Sequence, residues 1–514
     1  MIMRPHHGIH SRSRGLTRLF IPLGLGVMLI AGCGSGDDGI SEGAPSTHTV
    51  VNLYLDPDWT GTQSGTQAQP FANFSANWST VNTALASGDV TIYLSARDAA
   101  SDTDDVLAVD VDLTSKTANP AGTLTIDGES FYNANDSAPS WTAYSGSSKA
   151  QVRGFQTSNP RQTKYSKVTL TGIHIKQSTA NFALTICGDN WTVQNSEIEH
   201  GATGISPMIL IIPTADAEHE GSSEPCAAMS DVVIQNNTLH NSAGELIYIG
   251  GAGCTIDDPN LSDTNCNGKP SHNNITISGN TIYGCGSFVA QGDCIDVKAA
   301  ITNLTIAQNN ITNSLADSDF RAIVIQGIQT DGTNQNIVVE RNYIHDLGGV
   351  DDAAIAIVNS WGTPNGVTIR NNIIDTVKGG HGIKVYGTQS RGVKVFSNTI
   401  YNASGYCIDS DSGSTLEVRN NACLSTNGRG NQTALSGNIT STNNAYSVSW
   451  GGICTNCVSG VTEGAFTDVL HSDFALVKGS PLVDMGASLV TFDIDYSGIT
   501  RPQGSAWDIG AYER

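Results

Sequence analysis

One short unit recurs along this chain: an apolar residue, any residue, a second apolar residue, two polar residues, Asn, any residue, and then usually Ile or Leu. It reads VVIQNNTLHNS from Val232, ITISGNTIYGC from Ile275, LTIAQNNITNS from Leu304, IVVERNYIHDL from Ile337, VTIRNNIIDTV from Val367, VKVFSNTIYNA from Val393 and LEVRNNACLST from Leu416. Self-similarity at intervals of tens of residues is the mark of a solenoid, in which each unit buries its apolar face only by stacking on the next. Alternation at period two makes each unit a strand with one buried face. The recurrent Asn237, Asn280, Asn309, Asn342, Asn372, Asn398 and Asn421 are 23 to 43 residues apart. The shortest interval approximates one bare coil, and the longer ones carry loop insertions. Asn tolerates the left-handed region and bonds nearby backbone, so it suits the bend between two strands of a coil. Stacking then turns these side chains into a hydrogen-bonded ladder. Weaker units, VTLTGIHIKQS from Val168 and WTVQNSEIEHG from Trp191, precede them.

Composition agrees. Only 14% of residues are charged and 6% aromatic, while 55 of 514 are Gly, which points to many short strands joined by polar turns rather than to helices.

Residues 1–32 read as a targeting segment outside the fold: Arg4, Arg12, Arg14 and Arg18 precede an apolar run, Ile21 to Ala31, too short to span a bilayer. The run ends in Leu29-Ile30-Ala31-Gly32-Cys33, which resembles the bacterial lipobox. The resemblance implies cleavage before Cys33, lipidation of its thiol, and anchoring worth ~0.8 kcal/mol per buried CH₂. A plain secretory signal is the alternative. Gly34, in place of Asp, goes with an outer-membrane address. Residues 33–49 are small, polar and acidic and read as a flexible tether. Loss of residues 1–32 removes four Arg and no acid, taking the formal charge from −22 to −26. Such a surface repels nucleic acid and anionic lipid, and also acidic polysaccharides unless local cations or bound Ca²⁺ invert the field.

Ten of the 11 Cys follow Cys33, in a compartment where disulfides persist. Local pairing of Cys254 with Cys266, Cys285 with Cys294, Cys407 with Cys423 and Cys454 with Cys457, alongside Cys187 with Cys226, is one connectivity, which spacing alone does not decide. Cys454-x-x-Cys457 lacks a second pair at zinc spacing and a βαβ context, which favours a structural role.

With these units in view the chain resembles the pectate-lyase-like superfamily of parallel β-helix proteins. YLDPDWTGTQSGTQAQPFANFSAN from Tyr54 is similar to the opening segment of secreted β-helix proteins, and DFALVKGSPLVDMGA followed by TRPQGSAWDIGAYER to the terminal coil and cap of bacterial surface ones. The resemblance implies an all-β, single-stranded right-handed parallel β-helix. N-terminal coils and a cap would occupy residues 50–165, with a short helix at Thr80–Ser87; central coils 166–437; and last coils with a cap 438–514.

A second strand follows each Asn unit. Aligned, these strands put Glu245, Asp293, Arg321, Ala353, His381 and Tyr406 in one outward column, and Tyr248, Asp296, Val324, Ala356, Lys384 and Asp409 in another. A third begins Gly250, Lys298, Gln326. The alignment requires that no coil intervenes between Tyr248 and Asp293, the loop bearing Cys254 and Cys266 absorbing the gap. Three acids beside a Lys and an Arg suit Ca²⁺-assisted β-elimination on a uronate. Glu245, Asp293 and Asp296 would hold the metal. Lys298, its pKa lowered, would take the proton, and Arg321 would hold the carboxylate or leaving oxygen. The cluster resembles those of polysaccharide lyases on this fold, without a full family motif.

Two other readings stay open. Outward charges on a solenoid are often plain solvated ion pairs, as in a non-catalytic surface or adhesion protein. Gly292-Asp293-Cys294-Ile295 and Gly380-His381-Gly382-Ile383 resemble two motifs of polygalacturonase-type glycosidases, but the companion Asp motifs are missing. Trp361, Tyr386, Tyr401 and Tyr406 offer rings for sugar stacking or for covering the core. The expected protein is an exported, lipid-anchored monomer that binds, and in the lyase reading cleaves, an acidic polysaccharide.

Overall fold

The structure, a computed structural model, describes most of residues 49–514; residues 1–48, 96–105, 134–140, 157–164, 178–182, 201–206, 212–228, 251–271 and some shorter stretches lie outside the description. Cys33, Cys226, Cys254, Cys266 and Trp361 are among the latter. Among the described residues, three long parallel sheets, of 13, 13 and nine strands, wind around one interior. A central coil gives one strand to each sheet: Val232, for example, lies in Ser230–Gln235 of the first sheet, followed by Thr238–His240 in the second and Ile247–Gly250 in the third.

Register follows from the buried face. Val193, Ile234, Ile277, Ile306, Val339, Ile369, Val395 and Val418 pair in succession on the first sheet, each fully buried. Each such side chain contributes about 1.5–3 kcal/mol by leaving water. A slip of one residue would turn the whole stack to solvent, so the pattern pins the pairing.

The Asn ladder stands at the bend between the first and second sheets. From Asn237 through Asn280, Asn309, Asn342, Asn372, Asn398 and Asn421, each Nδ2 donates to the next Asn Oδ1 at 2.9–3.0 Å. The chain of bonds runs on to Asn444, in a coil with a weaker repeat. The bend itself is made one residue earlier than the sequence reading placed it. The left-handed positions are Asn236, Gln308, Arg341, Asn371, Ser397, Asn420 and Asn443, with φ between 52° and 58°, and Gly279 at 67°. The ladder Asn follow the bend and point inward.

At the N-terminal end the helix Trp78–Leu85 buries Trp78, Val81 and Leu85, spaced to share one helical face, and so covers the first coil. Beyond the last regular coil, marked by Asn438–Thr442, the chain turns back along the outside of the solenoid. There the bend residues read its backbone: Asn443 Nδ2 donates to Met485 O (3.0 Å), Asn420 Nδ2 to Ala487 O (2.8 Å), Asn371 Nδ2 to Ile494 O (2.8 Å) and Arg341 Nε to Tyr496 O (2.9 Å). Arg501 is buried there against Glu513 at 2.9 Å.

Cys285–Cys294 and Cys454–Cys457 are disulfides, and Cys187 also takes part in one. Cys407 and Cys423 are not joined: both are buried free thiols, a correction to the local pairing expected of them. Cys423 lies on the second-sheet strand Ala422–Leu424, next in the buried stack to Ile400, and Cys407 immediately precedes the third-sheet strand Ile408–Ser410, so that the two thiols meet in the interior as unoxidised neighbours sharing a hydrogen bond.

Candidate functional site on the third sheet

The third sheet places the charged columns. Tyr248 pairs directly with Asp296, Gly250 with Lys298, and Asp296 with Val324, so no coil intervenes across the long insertion. One position ahead of the strands, Leu246 N–H donates to Asp293 O (3.3 Å) and Cys294 N–H to Arg321 O (2.9 Å). Glu245, Asp293 and Arg321 therefore occupy three successive coils on one face, next to Tyr248, Asp296 and Lys298. The Cys285–Cys294 disulfide closes the chain immediately before this strand, and a Cβ on Gly292 would collide with the backbone of Gly286. Together they hold the peptide that carries Asp293.

Lys298 Nζ lies 2.7 Å from Asp296 Oδ2 and 5.1 Å from the centre of the Tyr248 ring. Gln326 Nε2 donates to Asp296 Oδ1 at 3.4 Å. Arg321 N–H donates to Asp293 Oδ1 at 2.7 Å, with its guanidinium Nη1 3.9 Å from the same oxygen. The Asp296 side chain is fully buried, while Lys298 and Arg321 keep 21% and 23% of theirs at the surface, so the cations are the part of the cluster a ligand meets.

Burial first, and Asp296 second, raise the Asp293 carboxyl to about 8 against the pull of Arg321 and Lys298. Burial raises Glu245 too, with Asp296 adding to it against its own backbone N–H and Lys298. Asp296 is raised by burial although Lys298 and Gln326 oppose it. Lys298 departs from the sequence reading. Burial lowers its pKa, but Asp296, the Tyr248 phenol and Glu245 outweigh burial and hold it above the ordinary value. It is therefore a lysine kept charged at neutral pH, not one primed to accept a proton.

The metal reading fares differently. Among the described residues no three His, Cys, Asp or Glu side chains form a group that could hold a metal ion. Asp296 is committed to Lys298 and Asp293 to the Arg321 backbone, so the residues present do not fit a Ca²⁺ site. His381, Lys384 and Asp409 fall on the same face: Ala353 pairs with His381, Ala356 with Lys384, and Lys384 with Asp409. Tyr401 is nearly buried and faces away on the second sheet, its hydroxyl donating to Glu463 at 2.6 Å.

Residues 222–391 match the family described as a right handed beta helix region. The sheets and this match together make the chain an all-β, right-handed parallel β-helix protein. Among solved structures it is similar to pectate lyase Pel9A (13% identity over 91% of this chain and 98% of that one, TM-score 0.42). It is also similar to XylC in complex with xylose (10%, 90% and 98%, TM-score 0.48). An alginate lyase from Paenibacillus sp. str. FPU-7 is a third (15%, 79% and 99%, TM-score 0.34). No curated protein matches it in sequence.

Proposed function

We propose that this protein binds an acidic polysaccharide on the outer face of its third sheet, where Arg321 and Lys298 hold a uronate carboxylate. One observation carries the reading. Arg321 and Lys298 stand partly exposed on adjacent coils of one face over a fully buried Asp296, on a chain of formal charge −22, and burial raises the Asp293 carboxyl so that it opposes them less. The cluster is the place on an acidic surface where an anionic sugar is not repelled. The planar fork of Arg321 suits a carboxylate, Lys298 adds a point charge, and protonated Asp293 adds a donor. Equivalent positions repeat about 4.8 Å apart up the sheet, an arrangement suited to an extended polymer.

The same electrostatics weigh on the chemistry. Elimination with Lys298 as base needs its free amine, which Asp296 disfavours. Hydrolysis by split acid and base roles would suit protonated Asp293, but Asp296 is sealed under Lys298 and cannot reach a water. Binding is thus the better supported activity. Attachment to the envelope through lipidated Cys33 completes the proposal; Cys33→Ala would release the protein into the soluble fraction.

The test is calorimetric titration at pH 6 with oligogalacturonate, oligomannuronate and neutral xylo-oligosaccharide, with and without a calcium chelator, while ultraviolet absorbance follows any unsaturated product. The expected result is binding of an acidic oligomer only, chelator-insensitive, and weakened about tenfold or more by Arg321→Ala, the scale of a hydrogen bond to a charged group. Equal binding of the neutral oligomer, or an unchanged affinity in Arg321→Ala, would overturn the reading. Product appearing only with calcium would restore the metal-assisted lyase.

A further inference from the structure

The cations at this site bring N–H groups and nothing else. Lys298 and Arg321 can bind a carboxylate, but neither side chain accepts a hydrogen bond. A uronate that docks on them also brings hydroxyl protons, and each one that loses its water needs an acceptor. A second carboxylate would meet that need while repelling the anion. Asp296, the nearest one to Lys298, is in any case fully buried.

Gln326 supplies a neutral acceptor. The register that pairs Asp296 with Val324 and Val297 with Ile325 sets Gln326 beside Lys298, one coil on in the same outward column, about 4.8 Å away at the backbone. Its Nε2 donates to Asp296 Oδ1 at 3.4 Å. A carboxylate oxygen can accept only from the amide nitrogen, and this fixes which way round the amide stands. Oε1 is the atom left over. It accepts no hydrogen bond from the described residues, and the half-buried side chain does not seal it from solvent. A charged donor and an uncharged acceptor thus stand one strand spacing apart. On a pyranuronate the carboxyl group and the 4-hydroxyl stand on neighbouring ring carbons, a separation that two adjacent coils can serve.

We propose that Gln326 sets the specificity of this site: its Oε1 accepts the 4-hydroxyl of the uronate whose carboxylate lies at Lys298. The inference rests on the proposed function and narrows its ligand. In a 1→4-linked uronan the inner residues carry their glycosidic bond at that oxygen and have no proton to give. The non-reducing end keeps it. The site therefore takes the end of such a chain rather than its interior.

The experiment compares, by calorimetric titration, the methyl glycosides of galacturonate and of glucuronate with that of their shared 4-deoxy analogue. The proteins are the full chain and its Gln326→Met variant, which keeps the length of the side chain and loses the acceptor. One of the two epimers is expected to bind the unaltered protein roughly threefold to tenfold tighter than the deoxy compound, the scale of one hydrogen bond between neutral groups. In Gln326→Met that margin should vanish while the deoxy compound binds as before. A variant that weakens all three ligands alike would mean that Gln326 only props Asp296, and would overturn the inference. So would an unaltered protein indifferent to the hydroxyl, a result that needs no variant and leaves the proposed function standing. Binding of none of the three by the unaltered protein would remove both.

Discussion

Replacing Asn342 by Ala should be among the most damaging single changes to this solenoid. The side chain is fully buried. Its Oδ1 accepts from Asn309 N–H and Asn309 Nδ2, both at 3.0 Å, and its Nδ2 donates to Asn372 Oδ1 (3.0 Å) and Ile306 O (2.9 Å). Truncation orphans the Asn309 N–H inside the cylinder, at about 1–3 kcal/mol, and removes three further bonds at about 0.5–1.5 kcal/mol each, for a loss of about 2.5–7.5 kcal/mol. The control is Asn303, which occupies an exposed ladder, donating to Asn273 Oδ1 (2.9 Å) and accepting from Asn336 Nδ2 (2.7 Å). Its φ is 57°, so Gly is the fair replacement, and Asn303→Gly should cost no more than about 1 kcal/mol, because water replaces the lost partners and Gly accepts the angle. Urea unfolding of both variants, followed by fluorescence with Trp191 buried in the interior as a reporter, gives the comparison. Equal shifts in midpoint would refute the argument, since they would mean that burial does not amplify the ladder bonds.

Three further outcomes are expected. Because the pKa of Asp293 rises from 3.8 to about 8 on folding, its stabilising contribution is complete below 3.8 and is lost as pH rises through about 8; Asp293→Asn should flatten the fall in melting temperature over that window. Uronate binding should weaken over the upper part of the same window as the carboxyl ionises. Cys407 and Cys423, 2% and 0% exposed, should resist maleimide in the native protein and react in urea, as mass spectrometry of the labelled peptides would show. Arg501→Met should cost about 3–5 kcal/mol by leaving Glu513 buried without its cation, and should make the C-terminal segment sensitive to protease.

The coils were legible because period-two alternation and a recurrent Asn are local signals repeated many times. Even the pairing of Tyr248 with Asp296 across a 43-residue interval between ladder Asn followed from aligning the strands. What stayed hidden depends on the third dimension. The raised pKa of Lys298 arises from a 2.7 Å contact and the burial of Asp296, neither of which a strand alignment can price. Sequence distance did bring Cys407 and Cys423 together as neighbours, but whether two adjacent buried thiols are bonded or only hydrogen-bonded is not written in their spacing. The bend at Asn236, Arg341 and Ser397 carries no sequence signature because several residue types accept that conformation there, whereas the Asn that follows it recurs from coil to coil. Asn444 could have been found: Asn443-Asn444-Ala445 repeats Asn420-Asn421-Ala422.

The returning C-terminal segment makes part of this solenoid a measured length. From Met485 to Tyr496 it touches the bends at Asn443, Asn420, Asn371 and Arg341 in reverse order, so its own residues count out the coils beneath them. A coil inserted before Arg341 would lengthen the cylinder and leave that tally intact. One inserted between Arg341 and Asn443 would throw every later contact out of step. Growth by duplication is therefore open to one half of the molecule and closed to the other, and the half closed to it carries His381, Lys384 and Asp409.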